Sequence, residues 1–118
     1  MSIEQTQVVD GIGVDKKTGE LLLIITDHLN WNDNPDDHLM LLQEKINAYL
    51  SFVESGELLE AYPDSKDRSI IVNVVGKYPL ADVGINFFAQ AGSVIEDAGI
   101  KLRFELFEGK QDGRGFNP

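Results

Sequence analysis

Apolar residues along this chain change period in a fixed order: two short extended runs, a long helical stripe, then another run, stripe and run. Val8 to Val14 reads as a first strand, with Gly11 and Gly13 inside it marking a bulge or the close approach of another backbone. The polar segment Asp15 to Gly19 separates it from Leu21 to Thr26, an almost unbroken apolar run of the kind found in central strands covered on both faces. Two strands joined by a short glycine-containing loop predict a β-hairpin.

Asn34-Pro35 then opens a helix. Asn34 is a capping residue, Pro35 fits the first helical position, and Asp36 and Asp37 suit the positive helix end. Leu39, Leu42, Ile46, Tyr49, Leu50 and Val53 form one apolar stripe, which Ser55-Gly56 closes. Leu58, Leu59 and Tyr62 add a short turn before Pro63. Ile70 to Val75 is a third strand, and Leu80 to Ala98 a second helix containing Gly84 and Gly92, which invite tight packing on the sheet. Lys101 to Leu106 alternates cleanly and forms a fourth strand with one wet face.

The order ββαβαβ predicts an α+β two-layer sandwich. Right-handed crossovers place both helices on one face of a four-stranded mixed sheet, of expected strand order 1-2-3-4 with the first strand antiparallel to the rest. With 118 residues the chain fits one domain over residues 1–107, and the glycine-rich stretch 108–118 reads as a flexible tail.

This architecture leaves one sheet face without helices. On the fourth strand that face carries Lys101, Arg103, Glu105 and Phe107. On the inner strands it carries either Leu22 and Ile24 or Leu21, Leu23 and Ile25, together with Ile71 and Val75 or Ile70, Val72 and Val74. Every choice exposes aliphatic side chains, and contiguous exposed apolar area marks an interface. The interface candidates are Leu22, Ile24, Ile71, Val75 and Phe107, covered by a second copy or another protein. The competing expectation is a different topology, in which the chain covers its own sheet.

Charge narrows the partners. There are 20 acids against 10 bases, a net charge of −10, and no cluster of Lys and Arg able to neutralise phosphates. Neither nucleic acid nor an anionic membrane is an expected partner. The absence of cysteine excludes disulfides, thiolate metal sites and a thiol nucleophile, and fits a cytoplasmic location. The amino terminus carries no signal-peptide pattern.

One polar constellation spans the end of the second strand and the start of the first helix. It runs from Asp27, His28, Asn30, Trp31, Asn32 and Asp33 to Asp36, Asp37 and His38. Imidazole and carboxylate are ligand types for divalent metals, so Asp27, His28, Asp37 and His38 are the metal candidates. Against this, Asp27 and His28 are strand neighbours and point to opposite faces. Asn34, Asp36 and Asp37 already have work at the helix start, and Trp31 suits a lid on the edge of the core. No dinucleotide loop, phosphate loop or serine elbow is present, no catalytic residue stands out, and no cofactor is implied.

Five segments carry a resemblance: Val9 to Asp15, Ile25 to Leu29, Leu42 to Leu50, Glu54-Ser55-Gly56 and Lys77-Tyr78-Pro79. As a set they resemble a family of small acidic bacterial proteins catalogued as a domain of unknown function, over residues 8–107. The resemblance implies a bacterial cytoplasmic protein of one domain, and it carries over no catalytic residue, cofactor or substrate. The leading functional expectation is a non-enzymatic interaction module, homodimeric through the open sheet face. The alternatives are an immunity or antitoxin-like protein binding a basic partner, a metal or small-molecule site at the strand–helix junction, and a structural subunit of a larger assembly.

Overall fold

The computed structural model describes residues 3, 5 and 9–107. Four strands, β1 (Gly11–Val14), β2 (Leu21–Asp27), β3 (Ile70–Gly76) and β4 (Ile100–Leu106), lie in the order β1-β2-β3-β4. The first pair is antiparallel and the other two are parallel. Helix α1 (Pro35–Glu54), the one-turn α2 (Glu57–Ala61) and a 3-10 turn (Pro63–Ser65) connect β2 to β3, and α3 (Asp82–Glu96) connects β3 to β4. The mixed α+β sheet and its strand order are those the sequence predicts. The expected tail, 108–118, and Val8 of the expected first strand lie outside the described residues.

The turn between β1 and β2 is built by Asp15, whose carboxylate accepts from the backbone of Lys17 at 2.8 Å, and by Gly19 at a φ of 80°. The β1 ladder stops at Gly11 because Asp10 pairs with its side chain instead. Its Oδ2 accepts from the Thr26 amide at 2.8 Å, where a backbone carbonyl would otherwise serve. The β1–β2 register is unbroken, so neither glycine marks a bulge. Gly11 lies against the Ile24 side chain, 3.4 Å from where a Cβ would sit.

Helix α1 starts at Pro35, as expected, but Asn34 makes no side-chain cap. Its side-chain Nδ2 donates to Asp37 Oδ2 at 2.8 Å. Helix α3 is shorter than the span 80–98, because Ala81 is still extended and the chain leaves the helix after Glu96. Of its two glycines, Gly84 sits under Trp31, with ring carbon Cζ2 3.3 Å from a Cβ position, whereas nothing among the described residues lies near Gly92. The close approach at Gly84 is therefore to Trp31 and not to the sheet.

The core lies between the sheet and the helices. Leu21, Leu23 and Ile25 of β2, Val72 and Val74 of β3, and Leu42, Ile46 and Tyr49 of α1 are buried there, joined by Trp31, Leu58, Ile95, Ile100 and Ile3. Each fully buried aliphatic side chain contributes about 1.5–3 kcal/mol. At the end of β3, Gly76 lets the Phe104 ring lie across the strand. A Cβ there would come within 2.6 Å of that ring.

Candidate functional site

The strand pleat decides what faces away from the helices: Leu22, Ile24 and Thr26 of β2, Ile71, Asn73 and Val75 of β3, and Lys101, Arg103 and Glu105 of β4. This face has two unlike halves. Over β3 and β4 the chain closes its own surface with polar side chains. Asn73, only 3% exposed, accepts from Arg103 Nε at 3.1 Å and donates to Glu105 Oε1 at 3.2 Å. Lys101 reaches Glu20 at 3.8 Å, spanning β3 beside Ile71, which is itself 3% exposed. Of the expected interface residues, Ile71 is thus on the face but already covered.

The other half is apolar. Leu22, Ile24 and Val75 are half-buried, and Phe107 is 59% exposed. A shallow cleft of about 700 Å³ runs along them, lined by Ile24, Thr26, Asp27, His28, Val75, Lys77 and Phe107. The charge on and around this face does not share the acidic excess of the chain. Lys77, Lys101 and Arg103 stand with Glu20 and Glu105, in a chain whose acids outnumber its bases 20 to 10.

The strand–helix junction lies at the C-terminal end of β2. Asp27 projects to the helix side, where His38 Nε2 lies 2.6 Å from its Oδ2. Both side chains are 2% exposed. His38 Nδ1 lies 3.2 Å from the Asn30 carbonyl, so both ring nitrogens face oxygen acceptors. Trp31 stacks on the imidazole with centroids 3.6 Å apart, and the other Asp27 oxygen accepts from the Leu29 amide at 3.1 Å. The pair fixes the path of the loop into α1.

Of the four metal candidates, the structure brings Asp27 and His38 together and leaves the others apart. His28 points to the opposite side of β2 from Asp27 and is exposed, and the exposed Asp37 engages Asn34. Among the described residues, no three or more His, Asp or Glu side chains gather into a set that could hold a metal ion.

A second buried polar cluster escaped the sequence reading. Lys45, fully buried on α1, donates from Nζ to Asp10 Oδ1 at 2.7 Å and to the Gln5 carbonyl at 2.9 Å. Tyr49, one turn on, donates to the Ile24 carbonyl at 2.6 Å and accepts from the Asp10 amide at 2.8 Å. Burial, with the Asp10 carboxylate adding to it, pushes the Tyr49 phenol well above its ordinary value. The available signal was position. Lys45 lies three residues after Leu42 and four before Tyr49, inside the apolar stripe, where a charged side chain needs a partner.

The model of a family of unknown function, DUF6572, matches residues 1–108, and the chain belongs to that family. No curated protein and no solved structure matches the chain. Among the described residues, no helix is long and apolar enough to cross a membrane.

Proposed function

We propose that this member of the DUF6572 family is a non-enzymatic protein-interaction module of the bacterial cytoplasm that pairs with a second copy through its uncovered sheet face. The observation that carries this reading is the contrast within that face. Leu22, Ile24, Val75 and Phe107 form an apolar strip that the described residues leave open, beside a charged half whose signs are balanced. Elsewhere the excess of acids opposes the approach of another copy at short range. On this face that repulsion is weakest and the apolar area is contiguous, the combination that interfaces use.

A basic protein partner is the second reading. It is favoured by the exposed acids of the helical layer, Asp36, Asp37, Glu44, Glu54, Glu57 and Glu60.

Sedimentation of the full chain tests the first reading. The expected result is an assembly larger than the 13.1 kDa monomer, and an Ile24→Asp, Val75→Asp variant of half the wild-type mass. A wild-type chain that stays at monomer mass at high micromolar concentration contradicts it. Binding of a polycationic protein by that monomer would favour the second reading.

A further inference from the structure

Strand β4 ends the sheet. Among the described residues nothing pairs with its outer edge along Ile100–Leu106. Edges this long and regular are normally blunted, and alternating charges are a common means. Here the charges are ordered so that they do not repel a second copy. We propose that two chains pair β4 to β4 in antiparallel register about a two-fold axis at Phe104, continuing the sheet across eight strands.

Three observations fix this register. The first is backbone direction. The Phe107 amide donates to the Gly76 carbonyl at 2.7 Å, so residues 101, 103, 105 and 107 turn their backbone groups toward β3. Residues 102, 104 and 106 therefore point theirs outward. An axis at Phe104 pairs 104 with 104 and 102 with 106, so that each outward N–H meets an outward C=O, giving about six hydrogen bonds.

The second is side-chain complementarity. On the open face this register sets Arg103 opposite Glu105 of the other copy, twice, in the closely spaced non-hydrogen-bonded pairs. On the helix face it sets Leu102 opposite Leu106, which is 37% exposed in the single chain. Moving the axis to residue 103 would oppose two Arg103 side chains, and moving it to residue 105 would oppose two Glu105 side chains.

The third is room. Helix α3 packs on β4 through Phe88, whose ring lies 5.8 Å from that of Phe104. Phe87, Gln90, Ala91 and Val94 line the groove toward α1. The flank left toward the β4 edge carries Ile85, Ala89, Gly92 and Glu96. Ile85 is 51% exposed there, and no described residue fills the space beside Gly92. Ala89 and Gly92 on that flank are small, which lets the two α3 helices approach closely where the strands pair at about 4.8 Å.

This contact stands on different atoms from the face contact. It sets two open faces side by side in one continuous surface. If both contacts form, two such pairs stack face to face into a closed four-copy assembly.

The test uses the full chain carrying Ile24→Asp and Val75→Asp, so that the edge is read alone. That protein is expected to sediment at twice the monomer mass. Adding Arg103→Glu or Glu105→Arg singly should weaken pairing at least about tenfold, because two attractive pairs become repulsive. Adding both should restore it to within about threefold, with Asn73 turning its amide to keep both partners. Hydrogen exchange gives a second readout that does not depend on those substitutions. The outward amides of Leu102, Phe104 and Leu106 should gain protection as protein concentration rises. A face-blocked chain that remains monomeric would overturn the proposal. So would single reversals as tight as the double swap, or protection of those three amides that is independent of concentration, which would mean the chain covers its own edge.

Discussion

On the helix side of β2, Leu21, Leu23 and Ile25 are fully buried, while on the reverse Leu22 and Ile24 are half-covered and Thr26 is exposed. The residues of this run are nearly alike, so composition does not separate the two sides. What separates them is the source of cover. The crossovers bring α1 and α3 to one face only, and the other face must use its own side chains or a neighbour. Over β3 and β4 the long side chains of Lys101, Arg103 and Glu105 supply part of that cover. Over β1 and β2 nothing equivalent exists among the described residues, because Gly11 and Gly13 present no side chain beside Ile24 and Leu22. An apolar strip is left where the sheet has its least side-chain bulk.

Substitutions on the two sides should therefore differ in what they damage, and the largest effect belongs to the buried helix side. Lys45→Met leaves the Asp10 carboxylate, 1% exposed, without its ammonium, and is expected to cost about 3–5 kcal/mol in urea denaturation. The unpaired Asp10 would still hold Thr26, so the loss should appear in stability without loss of the sheet's circular-dichroism signal. Leu23→Ala follows at about 2–5 kcal/mol, from lost burial plus the cavity left. Leu22→Ala, one residue away on the open side, should cost less than about 1 kcal/mol in the isolated chain while weakening assembly. Equal losses at residues 22 and 23 would mean that the two faces are equally covered within one chain.

The smallest effect is one of pH. The Tyr49 phenol is held neutral by burial, so its value in the folded chain lies above its ordinary 10.0. The folded state keeps that proton when the unfolded state loses it. The contribution is complete below pH 10.0 and falls as pH rises through and beyond it. Stability should decline more steeply above that pH in the wild type than in Tyr49→Phe, as read from urea midpoints. A parallel decline would remove Tyr49 as the source.

Element types and strand order were legible because period and punctuation agree. The stripe from Leu39 to Val53 admits one face, and Gly19, Pro35 and Gly56 sit where turns and helix ends require them. The orientation of β2 was not legible. An unbroken apolar run has no period-two signal, so Leu21 and Leu22 were equivalent candidates for the open side. The junction was read half correctly. The opposition of Asp27 and His28 follows from the pleat, but the pairing of Asp27 with His38 depends on how α1 docks, which no local spacing specifies. Ile71 was placed on the open face by its parity, yet its cover comes from Lys101 and Glu20 meeting across β3, a contact between residues far apart in sequence.

Intermolecular NOEs in a mixture of isotope-labelled and unlabelled chains test the claim about the open face most directly. Contacts from the methyl groups of Leu22, Ile24 and Val75 to the unlabelled copy are expected, together with contacts from the Phe107 ring. If those groups show none at millimolar concentration, while methyls elsewhere do or the sample is monomeric, the uncovered face is not where this protein meets its own kind.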